Sequence, residues 1–310
     1  AALAFLLVLP HLVWQLHHGW PTLEFVANAR LYKIAYGGPL PFLGEAALMV
    51  GPPSLLIWLP GLAWLLLRGA GGRYRAVGLS LLGVLLFLAF QPSKAYYASP
   101  IFVVLFAAGS VALEDWKPGG RWLMPAVGAL LVAATLATGP LFLPLLPPEN
   151  TAAWGRRLGF VPAGGERHGP TVLPQYFADR FGWEEMAAEV ARIWSSIPPA
   201  ERDTTLVLTS NYGEAGALRY WAERYHLPPA ASQHNNFFLW GADKDLDDVT
   251  TVLAVGIDPG DLAEAFREVT PAGELHHPFA MPYETGPILW IARHPKVDLE
   301  ESWQRGKSYI

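Results

Sequence analysis

The chain has 310 residues and a net charge of −5, with 52% hydrophobic residues, 16% charged residues and a mean hydropathy of +0.24. That balance sets it apart from an ordinary soluble domain. The absence of cysteine excludes a disulfide framework and a thiol nucleophile.

Charge is unevenly spread. Residues 1–149 hold five acids and eight bases, whereas residues 150–310 hold 22 acids and 14 bases. The sequence therefore divides near Pro147-Pro148 into a transmembrane region, 1–148, and a soluble domain, 149–310. An acidic second half would repel a phosphate backbone, so no nucleic-acid partner is expected.

In chain order, the first apolar run is AALAFLLVLPHLVWQL, residues 1–16. It lacks the basic segment and small-residue cleavage site of a signal peptide and reads as the end of a transmembrane helix, the chain being the C-terminal piece of a longer protein. The following segment, HHGWPTLEFVANARLYKIAYGGPLP (17–41), predicts a short helix entered at Pro21 and ended by Gly37-Gly38. Trp14, Trp20, Tyr32 and Tyr36 are rings suited to a headgroup layer, and the helix would present Glu24, Arg30 and Lys33 at the surface. A plain interfacial anchor with snorkelling bases explains the same residues.

Four charge-free runs follow, at about 46–67, 76–93, 95–113 and 122–148. Each approaches or exceeds the roughly 18 residues that carry a helix across a bilayer, giving about five transmembrane helices with the first run. Buried helices of a large globular core are the alternative. Arg68, Arg73 and Arg75 in one loop, and Lys117 and Arg121 in another, assign those loops to the cytoplasm. The QPSK turn, the 17–41 loop and the acidic domain then lie outside.

Within QPSKAYYASP (91–100), Lys94 sits beside Tyr96 and Tyr97 between two apolar runs. A lysine at a helix end can snorkel to water without further purpose. A cation with phenols at a membrane surface is also what holds a lipid phosphate.

The second half reads as α/β. DRFGWEEMAAEVARIWSSI (179–197) has helical apolar spacing, and TTLVLTS (204–210), TTVLAVGID (250–258) and PILWIARHP (287–295) read as strands. Helices alternate with them, predicting a mostly parallel, covered sheet that binds at the carboxyl ends of its strands. The first such end carries Asn211, Tyr212 and Glu214. Gly213 and Gly216 do not make a dinucleotide fingerprint, and Glu214 in a first helical turn is also an ordinary cap. His234, Asn235 and Asn236, beside an aromatic run, suit sugar hydroxyls, although the same residues often stitch a turn. His17-His18 and His276-His277 are adjacent rather than four apart, so no metal site is expected.

The blocks PHLVWQLHHGWPTLEF, FQPSKAYYASPIFVVLFAAGSVALE, VLTSNYGEAGALRYW and LPPAASQHNNFFLWG, in that order, resemble the C-terminal half of bacterial family 39 glycosyltransferases. Those are similar to protein O-mannosyltransferases and to the aminoarabinose transferase of lipid A. The resemblance implies a GT-C architecture in the plasma membrane with the C-terminal domain outside. The implied reaction transfers a sugar from a polyprenyl-phosphate donor to a glycan, lipid or protein acceptor, by inversion and without a nucleotide sugar; no cofactor is expected, with a divalent metal left open. It implies donor-phosphate contacts at Lys94, Tyr96 and Tyr97, with the 17–41 loop as a wall of the site. Asn211, Tyr212, Glu214, His234, Asn235 and Asn236 are candidate acceptor contacts. The family's catalytic acid lies in a first outer loop, which is not in this sequence. A membrane-anchored sensor with binding residues at its strand ends, and a transporter with Pro52, Pro53 and Pro60 in a broken span, are the competing classes.

Overall fold

The computed structural model describes residues 2–67, 72–116, 122–160 and 171–310. Arg68, Lys117 and Arg121, three of the bases used to orient the loops, lie outside the described residues. The chain forms two compact units, one of Ala1–Ala29 with His168–Ile310 and the other of Arg30–Arg167. This grouping cuts across the division read near Pro147-Pro148. It joins the first two helices, α1 (Ala2–His17) and α2 (Pro21–Asn28), to the strand-bearing part of the chain.

The helical unit contains α3 (Pro39–Met49), α4 (Leu55–Leu67), α5 (Arg75–Ala89), α6 (Ser99–Trp116), α7 (Leu123–Phe142) and α8 (Pro148–Arg157). Among the described residues two helical segments, Ala95–Asp115 and Leu123–Phe142, are long and apolar enough to cross a membrane. A third span results if the bent pair α3 and Pro52–Leu67 is taken as one. This corrects the expectation of about five. The 46–67 run is not one helix, because Gly51 takes a φ of 81° and Pro52-Pro53 removes two N–H donors, turning the chain by 96°. The 76–93 run gives only the 15 residues of α5, ending before Gln91-Pro92. The helix expected to run from Pro21 to Gly37 also stops early. It passes into a π-helical turn, Ala29–Lys33, and Gly38, at φ 105°, instead introduces α3.

Small residues set the packing of this unit. At the crossing of α4 and α6, a Cβ added to Gly61 would fall on the carbonyl oxygen of Leu105, and one added to Gly109 on that of Ile57. Two backbones can meet this closely only without side chains between them. Around the crossing, Trp58 meets Phe102 edge to face at 5.4 Å, and Phe42, Leu85 and Leu105 are buried. In contrast, only 11% of the apolar α7 window is buried, and Val103, Leu130, Val132 and Leu136 are exposed. Apolar surface on this scale is costly in water.

In the other unit, α9 (Gln175–Ala178), α10 (Trp183–Ser196) and α11 (Pro199–Arg202) precede β1 (Thr205–Thr209) and α12 (Tyr212–Tyr225). Then come β2 (Ala230–Ser232), α13 (Asn236–Trp240), β3 (Thr251–Val255), α14 (Pro259–Ala265), β4 (Phe266–Leu275), β5 (Gly286–Pro295) and α15 (Leu299–Arg305). The sheet order is β2-β1-β3-β5-β4. β1 pairs parallel with β2 and β3, but β5 runs antiparallel to both β3 and β4. The mostly parallel sheet expected is therefore a mixed one. The helix read into DPGDLAEAFREV ends at Ala265, and Phe266 opens a ten-residue strand. Its partner follows a loop too short to hold a crossover helix, so the pair must be antiparallel.

Strand residues alternate between two buried faces. Val207 and Leu253 pack against Met186, Val190, Ile193 and Leu218 from α10 and α12, while Leu206 and Val252 pack against Leu262, Phe266 and Trp303. Each fully buried Leu or Ile contributes about 1.5–3 kcal/mol.

A valine at position 109 is expected to destabilise the helical unit by about 1–3 kcal/mol or more, through forced separation of α4 and α6. Gly128→Ala in α7, where nothing lies within 4 Å of the added Cβ, should be neutral or slightly stabilising. Thermal unfolding of the two purified variants in detergent separates them, and equal unfolding temperatures would dispose of the close-packing account.

Candidate functional site

The β1 carboxyl end builds a tight polar turn. Asn211 caps α12, its Oδ1 accepting from Gly213 N (2.8 Å) and Glu214 N (3.0 Å). Glu214 returns the bond, its Oε2 accepting from Ser210 N (2.9 Å), Ser210 Oγ (3.0 Å) and Asn211 N (3.2 Å). This reciprocal arrangement is a capping box. Gly256, just past β3 at φ 68°, leaves room for it, since a Cβ there would strike Glu214 Oε1. The Glu214 side chain is only 1% exposed.

A second buried carboxyl lies against it. Glu284 is 9% exposed, and its Oε2 has no hydrogen-bond partner. Burial pushes Glu214 well above the usual carboxylate range, and the charge of Glu284 adds to this. Burial also raises Glu284, hydrogen bonds with Asn211 and Glu214 pull it partly back, and the Asp179 charge raises it again. Burial of the two acids beside one another disfavours ionising both, so each keeps its proton to higher pH than a free carboxyl. Asp179 in turn accepts a long contact from Tyr283 OH (3.4 Å). The pair is an internal fastening between the head of α12 and the turn before β5. Sequence reading missed Glu284, because PYE in a loop carries no pattern that points inward.

His234 and Asn235 hold the end of the chain. A His234 ring nitrogen lies 2.9 Å from Ile310 O, Asn235 Nδ2 donates to Ile310 O (3.1 Å), and Ile310 N donates to Asn235 Oδ1 (3.2 Å). Asn235 N also donates to Ser308 O (2.8 Å). These bonds hold Asn235 at φ 54° and ψ −136°, a conformation that a non-glycine residue rarely adopts. Asn236 is exposed, and with Tyr212 and Asn235 it lines one groove. Of the six residues read as acceptor contacts, the structure gathers these three there and keeps Asn211 and Glu214 in the capping box.

Of the residues in the 17–41 segment, Glu24 forms an ion pair with Lys307 at 2.9 Å. In the helical unit, Arg30 donates to Gln91 Oε1 (2.8 Å) and Tyr36 OH to Ala89 O (2.5 Å), which draws the 30–36 segment to the turn carrying Lys94. Lys94 Nζ sits 5.8 Å from the Tyr96 ring centre, and Tyr96 meets Tyr97 edge to face at 4.8 Å. Both tyrosines are about half exposed. Ser93 Oγ, donating to Leu88 O (2.5 Å), ties the turn to the end of α5. Among the described residues no group of three or more His, Asp or Glu side chains is placed to hold a metal ion.

Because both buried carboxyls are raised above their unfolded value, the folded chain holds more protons than the unfolded one as pH climbs from about 4.5 to about 8. Stability is therefore greatest below that range and falls across it. Glu284→Gln removes the repulsion, so its unfolding free energy should fall less over the same range and exceed wild type at the upper end, by about 1 kcal/mol or more. Parallel curves for the two proteins would rule out the coupling of the two carboxyls.

The chain matches no family model, no curated protein and no solved structure.

Proposed function

We propose that the chain acts as a membrane glycosyltransferase that uses a polyprenyl-phosphate sugar at the outer face of the plasma membrane, with the 91–97 turn binding the donor phosphate. The observation that carries this is the pairing of two basic segments in the helical unit, Arg30 being bonded to Gln91, three residues before Lys94. Together with Tyr96 and Tyr97 they offer two cations and two phenols beside helices whose apolar surface is exposed. A lipid phosphate that leaves the sugar gains negative charge, and a lysine held beside it lowers the barrier by stabilising that charge. The cation–π contact restrains Lys94 before any ligand arrives. The acceptor would be a glycan, lipid or protein hydroxyl, and its proton would pass to a carboxylate base.

Binding of a polyprenyl monophosphate to the purified protein in nanodiscs tests the donor site without requiring turnover. Lys94→Ala should weaken binding about tenfold or more, as expected for loss of a charged hydrogen bond. Arg30→Ala should weaken it less, and added salt should narrow both differences. Wild-type affinity in the Lys94→Ala protein would overturn the phosphate assignment.

A further inference from the structure

The first unit contains a groove of about 630 Å³ whose walls come from α1, α2, the head of α12, α13 and the chain's end. Its volume is that of a small-ligand site. Trp14, Phe25, Phe237 and Trp240 supply ring surface, with Phe237 and Trp240 edge to face at 4.7 Å. No Asp, Glu, Lys or Arg lines it. Charges on adjoining segments are paired, Glu24 with Lys307 at 2.9 Å and Arg219, which lies over the Phe237 ring, with Asp243.

The polar groups in the groove are of two kinds. Some brace it: Gln15, 3% exposed, donates from Nε2 to Thr22 Oγ1 (2.5 Å) and accepts from Thr22 N (3.1 Å), which locks α1 to the first turn of α2. Asn235 braces the opposite wall through the C-terminal bonds. Others are left for a ligand. The exposed Asn236 amide makes no hydrogen bond among the described residues, and neither does the hydroxyl of Tyr212. Tyr309 is 4% exposed as a residue and lines the groove, and its hydroxyl makes no hydrogen bond among the described residues.

We propose that this groove binds a neutral saccharide, a hexose ring laid against Trp240 and Trp14 with its hydroxyls bonded to Asn236, Tyr212 and Tyr309. A charged ligand would be desolvated there without a counter-charge. An isoprenoid or acyl chain would bury the Asn236 amide and the Tyr309 hydroxyl unsatisfied. A sugar ring matches both needs, its C–H face meeting the aromatics and its rim meeting the amide and phenols. The two bracing networks keep the walls in place before binding, which limits the ordering cost. This site stands on its own lining, whether or not the 91–97 turn holds a phosphate.

The test is titration of the purified protein in phosphatidylcholine nanodiscs, free of glycoside detergents, with neutral oligosaccharides of glucose, mannose, galactose and N-acetylglucosamine. Tryptophan fluorescence and saturation-transfer NMR report binding. At least one saccharide should bind, with Trp240→Ala weakening it about tenfold and Asn236→Ala several-fold. Trp240 is 60% exposed, so both variants should unfold at the wild-type temperature. Tyr220→Ala, an exposed ring outside the groove, should leave affinity unchanged. The proposal falls if no saccharide in the panel binds at millimolar concentration. It also falls if Trp240→Ala binds as wild type, or if a polyprenol displaces the sugar and quenches the same tryptophans.

Discussion

The last four residues of the chain are the tie on which the first unit depends. Lys307 pairs with Glu24, Tyr309 O accepts from Asn28, and Ser308 and Ile310 clasp Asn235. One short segment therefore reaches α2 and the head of α13 at the same time. Without it α1 and α2 would have few polar bonds to the sheet, and Asn235 would have nothing to hold it at a positive φ. The groove exists because these walls are bonded to a common strap.

The buried Glu214 and Glu284 play a different part. Their location under the carboxyl ends of β1 and β3 is where ligands commonly bind in α/β sheets. Here the space is filled by the capping box, and Gly256 is needed to admit it. Burial raises both acids, because two full charges side by side in that space are unfavourable. Tyr212, from the same turn, instead lines the aromatic groove.

The helical unit relies on opposite materials. Gly61 and Gly109 bring two backbones into contact, and the helices they join expose Leu, Val and Phe on their outer sides. Close packing inside and apolar surface outside is the combination expected where the surrounding solvent is lipid. The Lys94 turn is a polar feature at the junction of α5 and α6, and Arg30, which donates to Gln91 of that turn, comes from 61 positions away.

How far each feature was legible follows from its range. Composition and charge determined that the chain joins an apolar helical part to an acidic α/β part, because burial and solvation act on every residue alike. Local spacing determined α10, β1, β3 and the capping of α12, since a helix face, a strand and a cap are set by residues within a turn of one another. Pro52-Pro53 and Gln91-Pro92 were visible as letters, but whether a proline bends or ends a span is decided by what the turned chain packs against. The direction of β5, the inward turn of Glu284 and the placing of Trp14 and Trp240 along one groove were decided only by tertiary structure. Each joins residues far apart in sequence, and no local propensity encodes which distant surface a side chain will meet.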